Sequence, residues 1–347
     1  MQSRIIWMDA LRGFLILLVI TQHWTSFIPT IYQDEFWYNL ILNIKQLFAP
    51  FRMELLFFLS GLLVNKGLKK TNMKYFNGKS QNLLYPYIIW SLAYLAINTY
   101  SSLLNGEYAN ITNYFLRILF GTTDITWFLF FLLIYYVVIK FLRNINVYLI
   151  VLICVSASTI LRQFNLPFFL DVGFTSLDDF FYYFIYFFLA DYLIKNEYNI
   201  EKICKSKLIL ALSIFSFIAT TYINFSYNIQ KTHLAFLLFV LVSIPILIFS
   251  MNITCKAFPR LGFFLSHFGK NSIFYYLMHM IIFIISNKFL GFLNIPPILI
   301  CMIILFLALI IPYITIQLNS KIKWINFFFS SKNITTINNI KSKIFNI

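Results

Sequence analysis

The sequence predicts an all-α, polytopic membrane protein with about ten transmembrane helices and both termini on the cytoplasmic side. Three observations predict it. Of 347 residues, 60% are hydrophobic and 20% aromatic, and only 11% are charged, where an ordinary soluble domain carries about 25%. The 42 Phe residues and a mean hydropathy of +0.79 exceed what one soluble core can hide. Polar breaks divide the apolar residues into stretches near the roughly 20 residues that cross a bilayer.

Taken in order, the spans fall near 9–29, 46–64, 82–104, 126–143, 147–161, 177–194, 208–226, 233–250, 272–290 and 295–317. The first holds Asp9, Arg12 and His23; these polar groups, and no small-residue cleavage pattern after it, distinguish it from a signal peptide. The second runs through Arg52, Glu54 and Ser60. The third is opened by Leu84-Tyr-Pro-Tyr, and the fourth by Trp127, which reads as an interfacial aromatic. The fifth is the shortest. The sixth opens on Asp178 and Asp179, acids suited to a first helical turn, and ends near Asp191, which reads as reaching water. The eighth and tenth contain Pro245 and Pro312, and the ninth begins at Ser272. His233 reads as interfacial and His267 as a loop residue.

Lys and Arg fix the orientation, because cytoplasmic loops are enriched in them. With the N-terminus inside, 21 of the 27 fall on inner segments, leaving Lys45, Arg52, Arg117, Arg162, Lys231 and Lys288 on the outer side. The net charge of +15 is therefore a topology signal whose main partner is anionic lipid, not nucleic acid. With no linker, internal repeat or soluble domain in view, residues 1–320 form a single membrane domain and 321–347 a basic cytoplasmic tail. The four cysteines, Cys154, Cys204, Cys255 and Cys301, lack metal spacing and read as packing residues.

Ionisable residues inside spans mark function. Arg12 and His23 are eleven residues apart, three helical turns, so both project from one face about 16 Å from each other. Arg12 lies near the cytoplasmic face, with Asp9 on nearly the same stripe, and His23 lies in the outer half. The antiparallel second span brings Arg52 or Glu54 level with His23; a carboxylate beside an imidazole would orient it as a general base. Ser272, Tyr276 and His279 share one face of the ninth span. They either line a polar passage or join helices through hydrogen bonds. The arrangement predicts one continuous corridor lined by both Arg12 and His23.

Five stretches, in order, resemble the membrane-bound acyltransferase-3 family, which includes O-acetyltransferases of bacterial polysaccharides and other envelope glycans. They are Trp7-Met-Asp-Ala-Leu-Arg-Gly13 with His23; Arg52-Met-Glu-Leu-Leu-Phe-Phe-Leu-Ser-Gly61; Leu84-Tyr-Pro-Tyr-Ile-Ile-Trp90; Trp127-Phe-Leu129; and Gly269-Lys-Asn-Ser-Ile-Phe-Tyr-Tyr-Leu-Met-His279. The resemblance implies a donor, acetyl-CoA or another acyl-CoA, on the cytoplasmic side, a hydroxyl acceptor on a sugar or polysaccharide precursor, and no bound cofactor or metal. It implies that Arg12, with Asp9, meets the donor and that His23, with Glu54, serves the transfer. Arg52, Ser60, Trp127, Ser272, Tyr276 and His279 then line the substrate path. Asp191 departs from the family pattern, where a small residue is usual. Envelope-glycan biosynthesis proteins are expected partners, and the cytoplasmic membrane the expected location.

A transporter or flippase for a lipid-linked saccharide is the competing class, since buried Arg, Glu and His also line transport paths. Such folds carry paired repeats with interrupted helices, and Pro86, Pro245 and Pro312 do not fall in corresponding halves.

Overall fold

The computed structural model describes residues 6–32, 35–104, 111–121, 123, 125–164, 177–227, 234–293, 295–319 and 321–331. His233, Lys231 and most of the tail, 332–347, lie outside the described residues. Regular structure among the described residues is entirely helical. In chain order the helices are α1 (Ile6–Trp24), α2 (Phe36–Phe48), α3 (Arg52–Gly61), α4 (Val64–Leu68), α5 (Asn72–Lys79), α6 (Tyr85–Leu104), α7 (Ile111–Phe120) and α8 (Trp127–Leu142). They continue with α9 (Val147–Phe164), α10 (Leu177–Lys195), α11 (Ile200–Ile203), α12 (Lys207–Tyr227), α13 (Leu234–Ala257), α14 (Pro259–Lys270), α15 (Ser272–Gly291), α16 (Pro297–Asn319) and α17 (Lys323–Phe327).

Nine of the ten expected spans overlap one main helix each, and the second, 46–64, runs from the end of α2 across a break into α3 and the start of α4. Five of the helices described are long and apolar enough to cross a membrane, or six if α2 and the α3–α4 segment, bent by 42° at Ala49-Pro50-Phe51, count as one broken span. The expected number of ten is therefore reached only in part on length and composition. The four remaining segments fall short for physical reasons. The helix α8 has 16 residues and α9 only 18. Tyr, Ser and Asn dilute α6, and α10 contains Asp178, Asp179 and Asp191. Hydropathy measures fitness for lipid, whereas α10 packs inside the bundle, with every residue from Tyr182 to Phe188 buried. The helices α12 and α16, by contrast, keep most of their surface outside the protein, as lipid-facing helices do.

Helix α1 is the hub. It carries buried apolar residues around its circumference (Trp7, Leu11, Leu15, Ile16, Val19, Ile20, Trp24) and packs on α3, α13, α14 and α15. Its tightest neighbour is α14, an element absent from the expected spans; His267, read as a loop residue, lies within this helix. The two helices touch backbone to backbone: a Cβ on Gly13 would sit 1.9 Å from the Leu265 carbonyl oxygen, and one on Gly269 would sit 1.8 Å from that of Asp9. Only residues without a side chain permit that approach. The other end of α1 is pinned to α16, where Trp24 Nε1 donates to the Cys301 carbonyl at 2.8 Å. Similarly, Gly61 at the end of α3 meets the Phe187 carbonyl of α10, where a Cβ would lie 2.2 Å from the oxygen.

Asp191 is 1% exposed and does not reach water; its Oδ2 lies 3.0 Å from Arg143 Nε. This pair joins α10 to the end of α8 and accounts for the acid inside the bundle. Asp178 pairs with Arg162 at 3.6 Å. The start of the tail docks on the bundle: Phe329 stacks on Phe274 at 3.9 Å between ring centroids, and Trp90 Nε1 donates to the Phe328 carbonyl at 2.8 Å.

Candidate active site

A cavity of about 570 Å³ opens between α1, α3, α5, α8 and α15, within the roughly 300–1,000 Å³ typical of ligand sites. One end is basic: Arg12 from α1 and Lys70, Lys74 and Lys79 from the α4–α5 region line it. Lys79 Nζ sits 3.0 Å from the centroid of the Tyr136 ring and 5.6 Å from that of Tyr75, a cation held over aromatic faces. Burial, with the charge of Lys70 nearby, pushes the Lys79 pKa down to about 7. A polar relay stiffens this wall: the Tyr75 hydroxyl donates to the Tyr136 carbonyl at 2.7 Å, the Tyr136 hydroxyl to that of Ser60 at 3.0 Å, and Ser60 Oγ to that of Leu56 at 2.7 Å. The charge of Arg12 bears on Tyr136 across the cavity.

Helix α15 forms the opposite wall, from Ser272 to Tyr276. There the cavity ends. The Tyr276 hydroxyl donates to the Ile125 carbonyl, and its ring packs edge-on against Phe128 with centroids 5.6 Å apart. His279, one turn beyond, is fully buried. Its ring lies 5.3 Å from that of His23, centroid to centroid. A hydrogen bond from Tyr94 to the Leu277 carbonyl at 2.9 Å fixes this part of α15.

The structure thus corrects one expectation. Arg12 lines the cavity and His23 is not among its lining residues; Tyr276, its hydroxyl bonded to the Ile125 carbonyl, stands on the cavity wall one helical turn from His279. Arg12, Ser60, Ser272 and Tyr276 gather around the cavity. Asp9 is 6% exposed, behind Arg12 against α14. Arg52 bears electrostatically on His23 together with Lys45, whose Nζ donates to Thr25 Oγ1 at 3.2 Å. Glu54, fully buried, acts on Arg52 and on the α10 tyrosines Tyr182, Tyr183 and Tyr186. Trp127 is not an interfacial belt residue: its ring sits among Phe57, Phe131 and Tyr183 at 5.5–6.2 Å. Sequence reasoning passed over Tyr136, which looks like one more apolar residue of α8.

A family profile described as an acyltransferase domain, of the acyltransferase-3 type, matches residues 5–317. The chain belongs to the acyltransferase-3 family. The match spans nearly the whole bundle, so cavity, imidazole pair and glycine contacts all lie within the acyltransferase domain of this multi-pass membrane protein. No curated protein and no solved structure matches the acyltransferase.

Proposed function

We propose that this acyltransferase transfers an acyl group, most simply acetyl, from cytoplasmic acyl-CoA to a hydroxyl of a cell-envelope sugar or polysaccharide precursor. The observation that carries the reading is a cavity basic at one end and lined by Tyr276 at the other, one helical turn from the fully buried His279 and its neighbour His23. Coenzyme A is a multiply phosphorylated, extended molecule. Arg12 presents a fork suited to phosphate oxygens, and Lys70, Lys74 and Lys79 add charge. The thioester arm then runs along α15 towards Tyr276. For the reaction, Tyr276 has to leave the Ile125 carbonyl so that the thioester meets the acceptor near His23. That imidazole takes the hydroxyl proton as the oxygen attacks. Arg52 and Lys45 supply positive charge where the carbonyl oxygen becomes an oxyanion.

The ten helical segments together with the Lys/Arg asymmetry support a ten-span topology in the cytoplasmic membrane with both termini inside. On that topology the basic cavity mouth would face the cytosol, where acyl-CoA resides.

Purified protein given labelled acetyl-CoA and envelope glycan should transfer label to the glycan. His23→Ala should abolish transfer while the protein remains folded; full activity in that variant removes the catalytic role of His23. Mass spectrometry of envelope glycans from cells with and without the protein should show a difference of one acyl group per modified sugar, and an unchanged spectrum counts against a glycan acceptor.

A further inference from the structure

His279 is held in one tautomer. Its Nδ1 lies 3.0 Å from the carbonyl oxygen of Tyr275, four residues earlier on α15. A carbonyl oxygen only accepts, so Nδ1 carries the hydrogen and the neutral ring's lone pair is on Nε2. That Nε2 is enclosed by protein and has no hydrogen-bond partner, on a side chain with 0% exposure. A buried acceptor left open lowers stability, so one retained in a core calls for an explanation.

The rings around His279 narrow the explanation. Phe283, at 5.9 Å, is apolar, and the hydroxyl of Tyr276 is engaged with the Ile125 carbonyl. The remaining ring is that of His23, at 5.3 Å and inclined by 41°. The charged groups bearing on His23 from the other packed helices are Arg52 of α3 and Lys45 of α2, both cations. A proton arriving at His23 therefore joins two nearby cations, of which Arg52 is offset by the buried Glu54, and the ring packed beside it is that of His279 with an open Nε2 lone pair.

We propose that His279 is a positioning residue for His23, its Nε2 accepting a hydrogen bond from the imidazolium that forms during acyl transfer. This rests on the reading of His23 as the base. The acceptor hydroxyl gives its proton to one nitrogen of His23, and its oxygen bonds to the acyl carbon. The other His23 nitrogen, carrying N–H, turns to Nε2 of His279. The carbon–sulfur bond breaks, the thiolate takes the proton back from His23, and that ring returns to neutral while His279 stays neutral throughout.

Acyl transfer from labelled acetyl-CoA to envelope glycan isolated from cells lacking the protein tests this in the full-length enzyme. His279→Phe removes the acceptor atom, whereas His279→Gln keeps a carbonyl oxygen. The expected result is a kcat about 10- to 100-fold lower for His279→Phe, at the low end of or below the roughly 10²–10⁴ of general-base catalysis. The KM for acetyl-CoA should stay within about twofold, and His279→Gln should recover part of the rate. Wild-type kcat in both variants, equal loss in both, or a loss carried by KM overturns the proposal. Should neither variant fold, ¹⁵N spectra of histidine-labelled wild-type protein decide. With four histidines in the chain, replacing His23, His233 and His267 in turn assigns the rings. An unprotonated Nε2 on His279 supports the proposal and a protonated one overturns it. Full activity in His23→Ala would instead overturn the underlying assignment of the base.

Discussion

Gly13 of α1 and Gly269 of α14 lock their helices together by backbone contact, each facing a backbone nitrogen or carbonyl of the other helix at the crossing. Arg12 stands directly beside this crossing, so the basic end of the cavity takes its geometry from it.

Gly269→Ala is accordingly expected to push α14 away from Asp9, whose carbonyl oxygen a Cβ would approach to 1.8 Å. Overpacking of this kind costs about 1–3 kcal/mol. The apparent melting midpoint in detergent should fall, and the KM for acetyl-CoA should rise more than kcat falls, because Arg12 is displaced and His23 is not. An unchanged midpoint would mean that the helices separate without penalty.

Lys79 gives the basic end of the cavity a pH-dependent charge. Its folded-state pKa is depressed to about 7, so the amine is mostly protonated below that value and progressively neutral above it. If it meets a phosphate of the donor, acetyl-CoA binding weakens as pH rises through about 7. Lys79→Arg keeps its charge across the range and should flatten that dependence, whereas Lys79→Met should lower affinity at acid pH about tenfold. Titrating KM for acetyl-CoA between pH 6 and 9 in the three proteins checks this, and parallel curves would separate Lys79 from the donor.

The Arg143–Asp191 pair is structural. Removing one partner of a buried ion pair costs about 3–5 kcal/mol, whereas replacing both with apolar residues of similar size is often nearly neutral. Asp191→Asn should therefore destabilise the protein more than the double substitution Arg143→Met with Asp191→Leu. Thermal unfolding of the purified variants measures both, and a double variant less stable than the single one would contradict the assignment.

Orientation can be read by labelling. In a cysteine-free background, a cysteine at Lys74 should react with a membrane-impermeant maleimide only after cells are opened, and one at Lys288 in intact cells. The reverse pattern would invert the topology.

Much of this was legible in the chain. The ten apolar stretches are all helices because chain-length apolar runs have few other ways to satisfy their backbone. Arg12, Ser60, Ser272 and Tyr276, each singled out from the chain, all line one cavity. Other features were hidden for identifiable reasons. Helix α14 has only 12 residues and a mixed composition, so nothing in its hydropathy separates it from a loop. The bond between Tyr276 and Ile125 depends on how α15 approaches the segment before α8, which no spacing encodes. His23 meets His279 because α1 and α15 are in contact; their sequence separation gives no hint of it. Asp191 looked anomalous until its partner, Arg143, was seen across the bundle.

Tyr276 standing between the basic chamber and the imidazoles matters to the cell as much as to the chemistry. A bundle bored straight through would shunt ions and dissipate the electrochemical gradient on which the organism's energy depends. If transfer follows the proposed path, Tyr276 would have to move aside for the donor to meet His23, and the barrier would have to reseal after each turnover.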